Sequence, residues 1–312
     1  MGQTLTSFPA ARYRFDCIAE TPLRLPVYAG SALRGAFGHA LKRSVCVTRE
    51  SNCKSCALYR SCIYPAVFAP PAPEHHAAQK FSEVPAPYVI EPPPWGECHI
   101  APGEGFRFHF ILIGHALQHL PILIHAWQRA LGAGIGAGDG RARLAAVYHC
   151  QPEGDTCIHD ATNSTLQQHP AELPPAPPAQ TSITLHFSTP LRLQCNGKPL
   201  DVGNITAQRL LMGLLKRTAL LADLHAGQPL KLDFRDLARH AETITGTHDL
   251  RWRDWGRYSS RQKREMKLGG VVGRWTLEGE LAPFWPFLHL GQWLHVGKET
   301  TFGLGQYRLI AP

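Results

Sequence analysis

The sequence has no uninterrupted apolar run long enough to cross a bilayer. Its most apolar stretch, Phe106 to Trp127, is broken by Arg107, His109, His115, His119 and His125, and so many polar side chains exclude a spanning helix. A secretory start is also missing, because Met1 to Arg14 has no charged beginning followed by an apolar segment. A cytoplasmic location is expected, and a disulfide framework is not. Met1-Gly2-Gln3-Thr4-Leu5-Thr6 meets the loose N-myristoylation pattern, which is too short to imply an anchor alone. Acidic residues are scarce, 24 against 32 Lys and Arg, which leaves a net charge of +8. That balance favours a polyanionic partner, and without a membrane segment nucleic acid is the better fit.

No small-molecule cofactor fingerprint is present. Gly132, Gly134, Gly136, Gly138 and Gly140 follow a predicted helix and precede a predicted strand. A dinucleotide-binding turn needs the opposite order. Gly297-Lys298 also fails as a P-loop, since Glu299 stands where Ser or Thr is required and Gln292 where the first glycine belongs.

Among the 312 residues there are 26 prolines, enough for two domains joined and decorated by extended segments. Gln151 to Gln180 has no sustained period and ends in Pro174-Pro175-Ala176-Pro177-Pro178, which predicts a linker over 151–180 between domains at 1–150 and 181–312. A second irregular region, about 46–102, holds His75-His76 and several cysteines and is expected as an insertion in the first domain. Period-two alternation predicts strands over Tyr13–Arg24, Phe106–Phe110, Ala142–Tyr148, Ser182–Leu193, Val271–Leu277 and Gln306–Ile310. Helical spacing predicts Ser31–Val45, with Ser31 as N-cap, then Pro121–Leu131, Ile205–His225 and Ala282–Gly291. The order strand–helix–strands–helix–strand, twice over, suggests an α+β chain of tandem ferredoxin-like (RRM-like) domains.

Arg251, Arg253, Arg257, Arg261, Lys263, Arg264, Lys267 and Arg274 face only Asp254 and Glu265, with Trp252, Trp255 and Tyr258 interleaved. Cations for phosphates beside rings for bases suit an RNA surface. Cys46, Cys53, Cys56 and Cys62 have the spacing C-x6-C-x2-C-x5-C, which predicts one structural metal, zinc first, with an iron–sulfur cluster using the same ligand set. Of 17 histidines, His39 gains most from its position. Leu33, Phe37 and Leu41 mark a buried helix face, and His39 falls roughly opposite Phe37, with Gly35, Lys42 and Arg43 beside it.

His295-Val296-Gly297-Lys298-Glu299-Thr300-Thr301-Phe302-Gly303-Leu304-Gly305 resembles the C-terminal glycine-rich motif of the RAMP superfamily of CRISPR RNA-binding proteins. Arg257 to Arg264, leading through Lys267-Leu268-Gly269-Gly270, resembles the branch whose members are repeat-RNA-processing endoribonucleases. So does Leu33-Arg34-Gly35-Ala36-Phe37-Gly38 followed by a cysteine group. The resemblance implies binding of CRISPR repeat RNA or its processed product, contact with other Cas effector subunits, and cleavage without a catalytic metal. It makes His39 the first candidate for proton transfer, with Lys42 as charge stabiliser and His295 as second choice. Arg34, Arg257, Ser259, Arg261, Lys263, Arg264, Lys267, Gly297, Lys298, Thr300, Thr301, Gly303 and Gly305 become candidate RNA contacts. Two rivals stay open: a non-cleaving RNA-binding subunit, and a zinc-stabilised DNA regulator, for which no clear recognition helix is visible.

Overall fold

The computed structural model describes residues 7–73, 84–161, 165–259 and 264–311, so His75 and His76 lie outside the described residues. The chain divides into two compact units, Pro9–Glu172 on one hand and Leu173–Pro312 with Met1–Phe8 on the other. Both are α+β. No helix among the described residues is long and apolar enough to cross a membrane.

The first unit begins with β1 (Ala10–Ala19), where Tyr13, Phe15 and Cys17 point inward and alternate with half-exposed Arg12, Arg14 and Asp16. The predicted strand Tyr13–Arg24 is in fact two, because β2 (Leu23–Leu25) leaves the main sheet. Then follow α1 (Gly30–Val45), α2 (Ile63–Phe68), β3 (Tyr88–Glu91), β4 (Cys98–Ile100), β5 (Gly105–Ile113), α3 (Leu120–Ala133), β6 (Ala142–Cys150) and β7 (Thr156–Asp160). The main sheet runs β3-β5-β1-β6-β7, antiparallel throughout, while β2 pairs with β4. The core is aromatic: the Trp127 ring of α3 stacks on Phe37 of α1 at 4.9 Å and meets Phe108 of β5 at 4.5 Å. Ser31 does not cap α1; Ala29 takes the N-cap position and makes no side-chain bond there. In the glycine run, Gly136 has φ +78° and a Cβ there would overlap the Arg24 carbonyl. This turn serves close packing on β2.

The second unit carries β8 (Ser182–Leu191), the small hairpin β9 (Gln194–Cys195) and β10 (Lys198–Pro199), α4 (Ala207–Ala226), α5 (Phe234–Glu242), β11 (Thr245–Ser259), β12 (Arg264–Glu278), α6 (Trp285–Leu294) and β13 (Tyr307–Ile310). Thr206 caps α4 by accepting from the Arg209 N–H, and Gly227 ends it in the left-handed conformation. The sheet order is β11-β12-β8-β13, again antiparallel. The expected linker 151–180 is more structured than composition implied. Its start supplies β7 to the first sheet. Its proline run straps the second unit, where Trp285 Nε1 donates to the Pro177 carbonyl at 2.7 Å and His289 Nε2 lies 3.0 Å from the Pro174 carbonyl. Proline has no N–H to satisfy, but its carbonyl still accepts.

On the outer face of the first sheet, buried Glu91 pairs with Arg12 at 2.6 Å, and His109 Nδ1 lies 3.8 Å from the same carboxylate. Burial, reinforced by the Arg12 cation and opposed by Glu91, pushes the His109 pKa down to about 4. His149 is also lowered, by burial and by neighbouring His169. The unfolded chain therefore binds protons between the ordinary histidine pKa, about 6.5, and 4, while the folded one does not. Stability is expected to be full above pH 6.5 and to fall as the pH drops towards 4, with His109 contributing up to about 3 kcal/mol. Denaturant titrations of wild type and His109→Gln across that window measure it, and the variant should show the shallower decline.

Candidate functional site

Helix α1 presents the expected faces. Leu33, Phe37 and Leu41 are fully buried, while Gly35, His39 and Arg43 are exposed. The imidazole of His39 thus stands in solvent on a rigid element, with a side-chain-free position one turn before it. Lys42 and Arg43, in the last turn, also complement the helix dipole. Lys42 turns elsewhere: its Nζ donates to the Ser51 carbonyl at 3.3 Å and lies 6.0 Å from the Tyr64 ring centroid. The charge-stabiliser expected next to His39 is therefore engaged with the cysteine segment. Arg34 is likewise packed, its guanidinium 4.3 Å over the Phe68 ring. Its Nε is buried without a hydrogen-bond partner among the described residues.

The glycine-rich loop holds left-handed backbone at His295, Gly297, Glu299, Gly303 and Gly305. Sequence reasoning expected the glycines to open N–H groups to a phosphate. They instead bring the loop onto its own unit's backbone. Lys298 N–H donates to the Arg192 carbonyl at 2.9 Å, Gly305 N–H to Pro190 at 3.0 Å and Gly303 N–H to Thr300 at 2.9 Å. His295 is fully buried and its Nδ1 lies 3.2 Å from the Leu304 carbonyl. It shapes the loop, and as placed its ring cannot touch RNA. Thr300 is buried, Thr301 half-buried and Lys298 exposed, so Lys298 is the cation this loop offers outward, beside half-exposed Glu299.

Two residues that sequence reasoning passed over hold the loop. Thr189 Oγ donates to the Gly303 carbonyl at 2.8 Å and accepts from Gln306 N–H at 2.9 Å. Arg217 of α4 donates through Nε to the carbonyls of Leu294 and His295, at 2.8 and 3.1 Å. Burial lowers its pKa to about 10, which leaves it charged at neutral pH. Its signal was available: Arg217 stands seven residues after Leu210, three after Leu214 and four before Leu221, on the apolar stripe of α4. A cation there has a specific partner or a heavy cost; here the C-terminal carbonyls of α6 accept it.

Strands β11 and β12 form a long hairpin paired from Thr245↔Glu278 to Ser259↔Arg264. Arg261 and Lys263 lie outside the described residues, and Arg257, Ser259, Arg264 and Lys267 are described by backbone pairing. Arg251 and Arg274 are exposed. The two tryptophans separate. Trp252 is 37% exposed, with Nε1 donating to Asp254 at 2.7 Å. Trp255 is buried, edge-on to Phe302 of the glycine-rich loop at 6.2 Å. Only Trp252 offers its ring outward, and the glycine at 269 leaves room for it, because a Cβ there would overlap the indole.

Cys46, Cys53, Cys56 and Cys62 are free thiols, all half-buried, and all four line one cavity of about 240 Å³. Among the described residues no group of three or more His, Cys, Asp or Glu comes together closely enough to hold an ion. The expected compact tetrahedron of sulfurs is thus replaced by four thiols around a shared space.

Comparison with known proteins follows the same division. Residues 185–307 match the family model of the CRISPR-associated endoribonuclease Cas6. Residues 8–171 match that of AF_1859_N, an N-terminal domain. An uncharacterized protein of Archaeoglobus fulgidus is 26% identical over 294 residues, covering 91% of this chain and 92% of its own. Among solved structures, a Cas6 product complex aligns with TM-score 0.58 at 17% identity, over 96% of this chain and 99% of the other. Thermus thermophilus Cas6 aligns at 0.53 and 17%, over 97% and 99%. A partial Cas6-RT-Cas1–Cas2 complex aligns at 0.55 and 15%, over 97% of this chain and 46% of that one. Residues 8–171 place the chain in the AF_1859_N family, and residues 185–307 form a Cas6-type CRISPR-associated endoribonuclease domain.

Proposed function

We propose that this protein binds CRISPR repeat RNA and cuts it in the cytoplasm without a catalytic metal. Its two βαββαβ units are tandem ferredoxin-like domains, a reading supported by the matching strand orders. The ribose 2′-hydroxyl attacks the adjacent phosphate, the P–O5′ bond breaks, and a 2′,3′-cyclic phosphate and a 5′-hydroxyl result. His39 transfers a proton, from the 2′-hydroxyl or to the leaving 5′-oxygen. The observation that carries this reading is the exposed His39 on α1 of a chain whose residues 185–307 match Cas6. The basic hairpin and Lys298 hold the phosphates, and Trp252 offers a face for a base. The Cas6-RT-Cas1–Cas2 relative supports contact with other Cas proteins. The four cysteines hold one structural metal centre, a reading supported by their spacing and by the cavity that all four line.

Incubating end-labelled repeat RNA with the protein in EDTA, then mapping the product ends, tests the chemistry. A cyclic phosphate and 5′-hydroxyl are expected; intact, tightly bound RNA would make the chain a non-cleaving RNA-binding subunit. Replacing Arg261, Lys263 and Arg264 with alanine should weaken binding and flatten its dependence on salt. Each lost phosphate contact should remove roughly 0.7 from the slope of log K against log salt. Titrations at several salt concentrations read this, and an unchanged slope would place the RNA elsewhere.

A further inference from the structure

We infer that Cys46, Cys53, Cys56 and Cys62 hold a [4Fe–4S] cluster rather than a single zinc ion. The inference rests on the proposal that these cysteines bind one metal centre, and it names the occupant. Zinc–sulfur bonds of about 2.3 Å bring four sulfurs within roughly 3.8 Å of one another, leaving no space between them. Here the four thiols surround a cavity of about 240 Å³ instead. Its remaining wall is largely apolar, with Val45, Leu58, Tyr59, Ile63, Tyr64 and Pro65 among the lining residues. A space of that character, largely apolar apart from its thiols, offers water few partners. A cuboidal cluster of four irons and four sulfides fills it and needs four thiolates spaced apart around it.

The rest of the donor set agrees. No disulfide engages any of the four, and Cys46 ends α1 while Cys62 precedes α2, so the ligands are anchored at two helix boundaries. Thr48 Oγ lies 3.3 Å from Cys56 Sγ and 4.0 Å from Cys46 Sγ. A hydroxyl donor at ligand sulfurs tunes a cluster's potential. Lys42 and Glu50 both line the same cavity, so the four thiolates on a 2+ core keep their net negative charge at this half-exposed site. On assembly each Sγ–H is replaced by an Sγ–Fe bond, the four protons go to solvent, and two ferrous ions, two ferric ions and four sulfides enter from solution, which sums to the 2+ core. The cluster then ties the segment between residues 46 and 62 to the end of the helix that bears His39.

The test is metal and sulfide analysis of the full chain, expressed with added iron and purified without oxygen. About four irons and four acid-labile sulfides per chain are expected, with broad visible absorption that bleaches on dithionite reduction. The Cys53→Ser, Cys56→Ser double variant should lose iron, sulfide and absorption together. Should that variant fail to fold, wild-type protein stripped with chelator and reconstituted with equal ferrous and ferric iron and sulfide, or with zinc alone, gives the same comparison. Recovery of the absorption only in the first mixture supports the cluster. One zinc per chain and no sulfide in the purified protein would overturn the cluster but keep a metal centre. Neither metal nor sulfide, before or after reconstitution, would overturn both.

Discussion

His39→Ala is expected to slow cleavage of repeat RNA by roughly two to four orders of magnitude, the usual range for general acid–base help, while RNA affinity stays near wild type. The side chain is exposed on a helix whose opposite face is locked into the aromatic core. Removing the imidazole should therefore leave the fold intact. Imidazole suits the role because its ordinary pKa, about 6.5, allows it to give or take a proton near neutrality. Single-turnover rates at saturating enzyme are the proper measurement, since they remove binding from the comparison. His295→Ala makes the informative contrast. Its ring is buried beside the Leu304 carbonyl, so it should lower thermal stability and RNA affinity together. Lys42→Ala should have a smaller effect on rate than His39→Ala, because Nζ is committed to the Ser51 carbonyl. Near-normal cleavage by His39→Ala would sink the assignment and move proton transfer to another group.

Gly305→Ala should be among the most damaging substitutions in the second unit, costing roughly 3 kcal/mol or more. Two independent faults combine. The backbone there has φ +72°, which a side chain resists, and the new Cβ would overlap the carbonyl oxygen of Val296. Neither fault can relax cheaply, because Gly305 N–H is bonded to Pro190 and Gly305 carbonyl to Val296 N–H. The loop would leave the end of β8, taking exposed Lys298 with it, so RNA affinity should fall alongside the unfolding midpoint. Gly138→Ala makes a fair control: it shares a positive φ, +84°, but its Cβ would meet nothing within 4 Å. Its cost should be confined to backbone strain, about 1 kcal/mol. Equal losses from the two substitutions would mean that the close approach at Gly305 contributes nothing.

What the sequence by itself determined is whatever follows from local periodicity and composition. The buried stripe Leu33-Phe37-Leu41 fixed both the inner face of α1 and the exposure of His39, because a helix repeats every 3.6 residues regardless of what covers it. Net charge and the clustered cations pointed to a polyanion, and element order pointed to two α+β units. Short irregular pieces were not legible, since α2, β3 and β4 have too few residues to show a period. β7 was absorbed into an expected linker because its sheet partner, β6, supplies the pairing that defines it.

The tertiary structure decided which side of each residue faces another part of the chain. Trp252 and Trp255 looked equivalent in sequence, yet an odd separation on a strand sends them to opposite faces, and Phe302, 47 positions away, covers one of them. His295 looked like a catalytic reserve until α4 and the loop closed around it through Arg217. The C-terminal motif looked open to phosphate, whereas the carbonyls of Pro190 and Arg192 take the N–H groups of Gly305 and Lys298. The four cysteines matched a metal-site spacing, but only the packing of Leu58, Ile63 and Tyr64 beside them defines the space that they share. In each case the deciding partner is distant in sequence. Local patterns report which face is apolar, and only chain closure reports what fills the space against it.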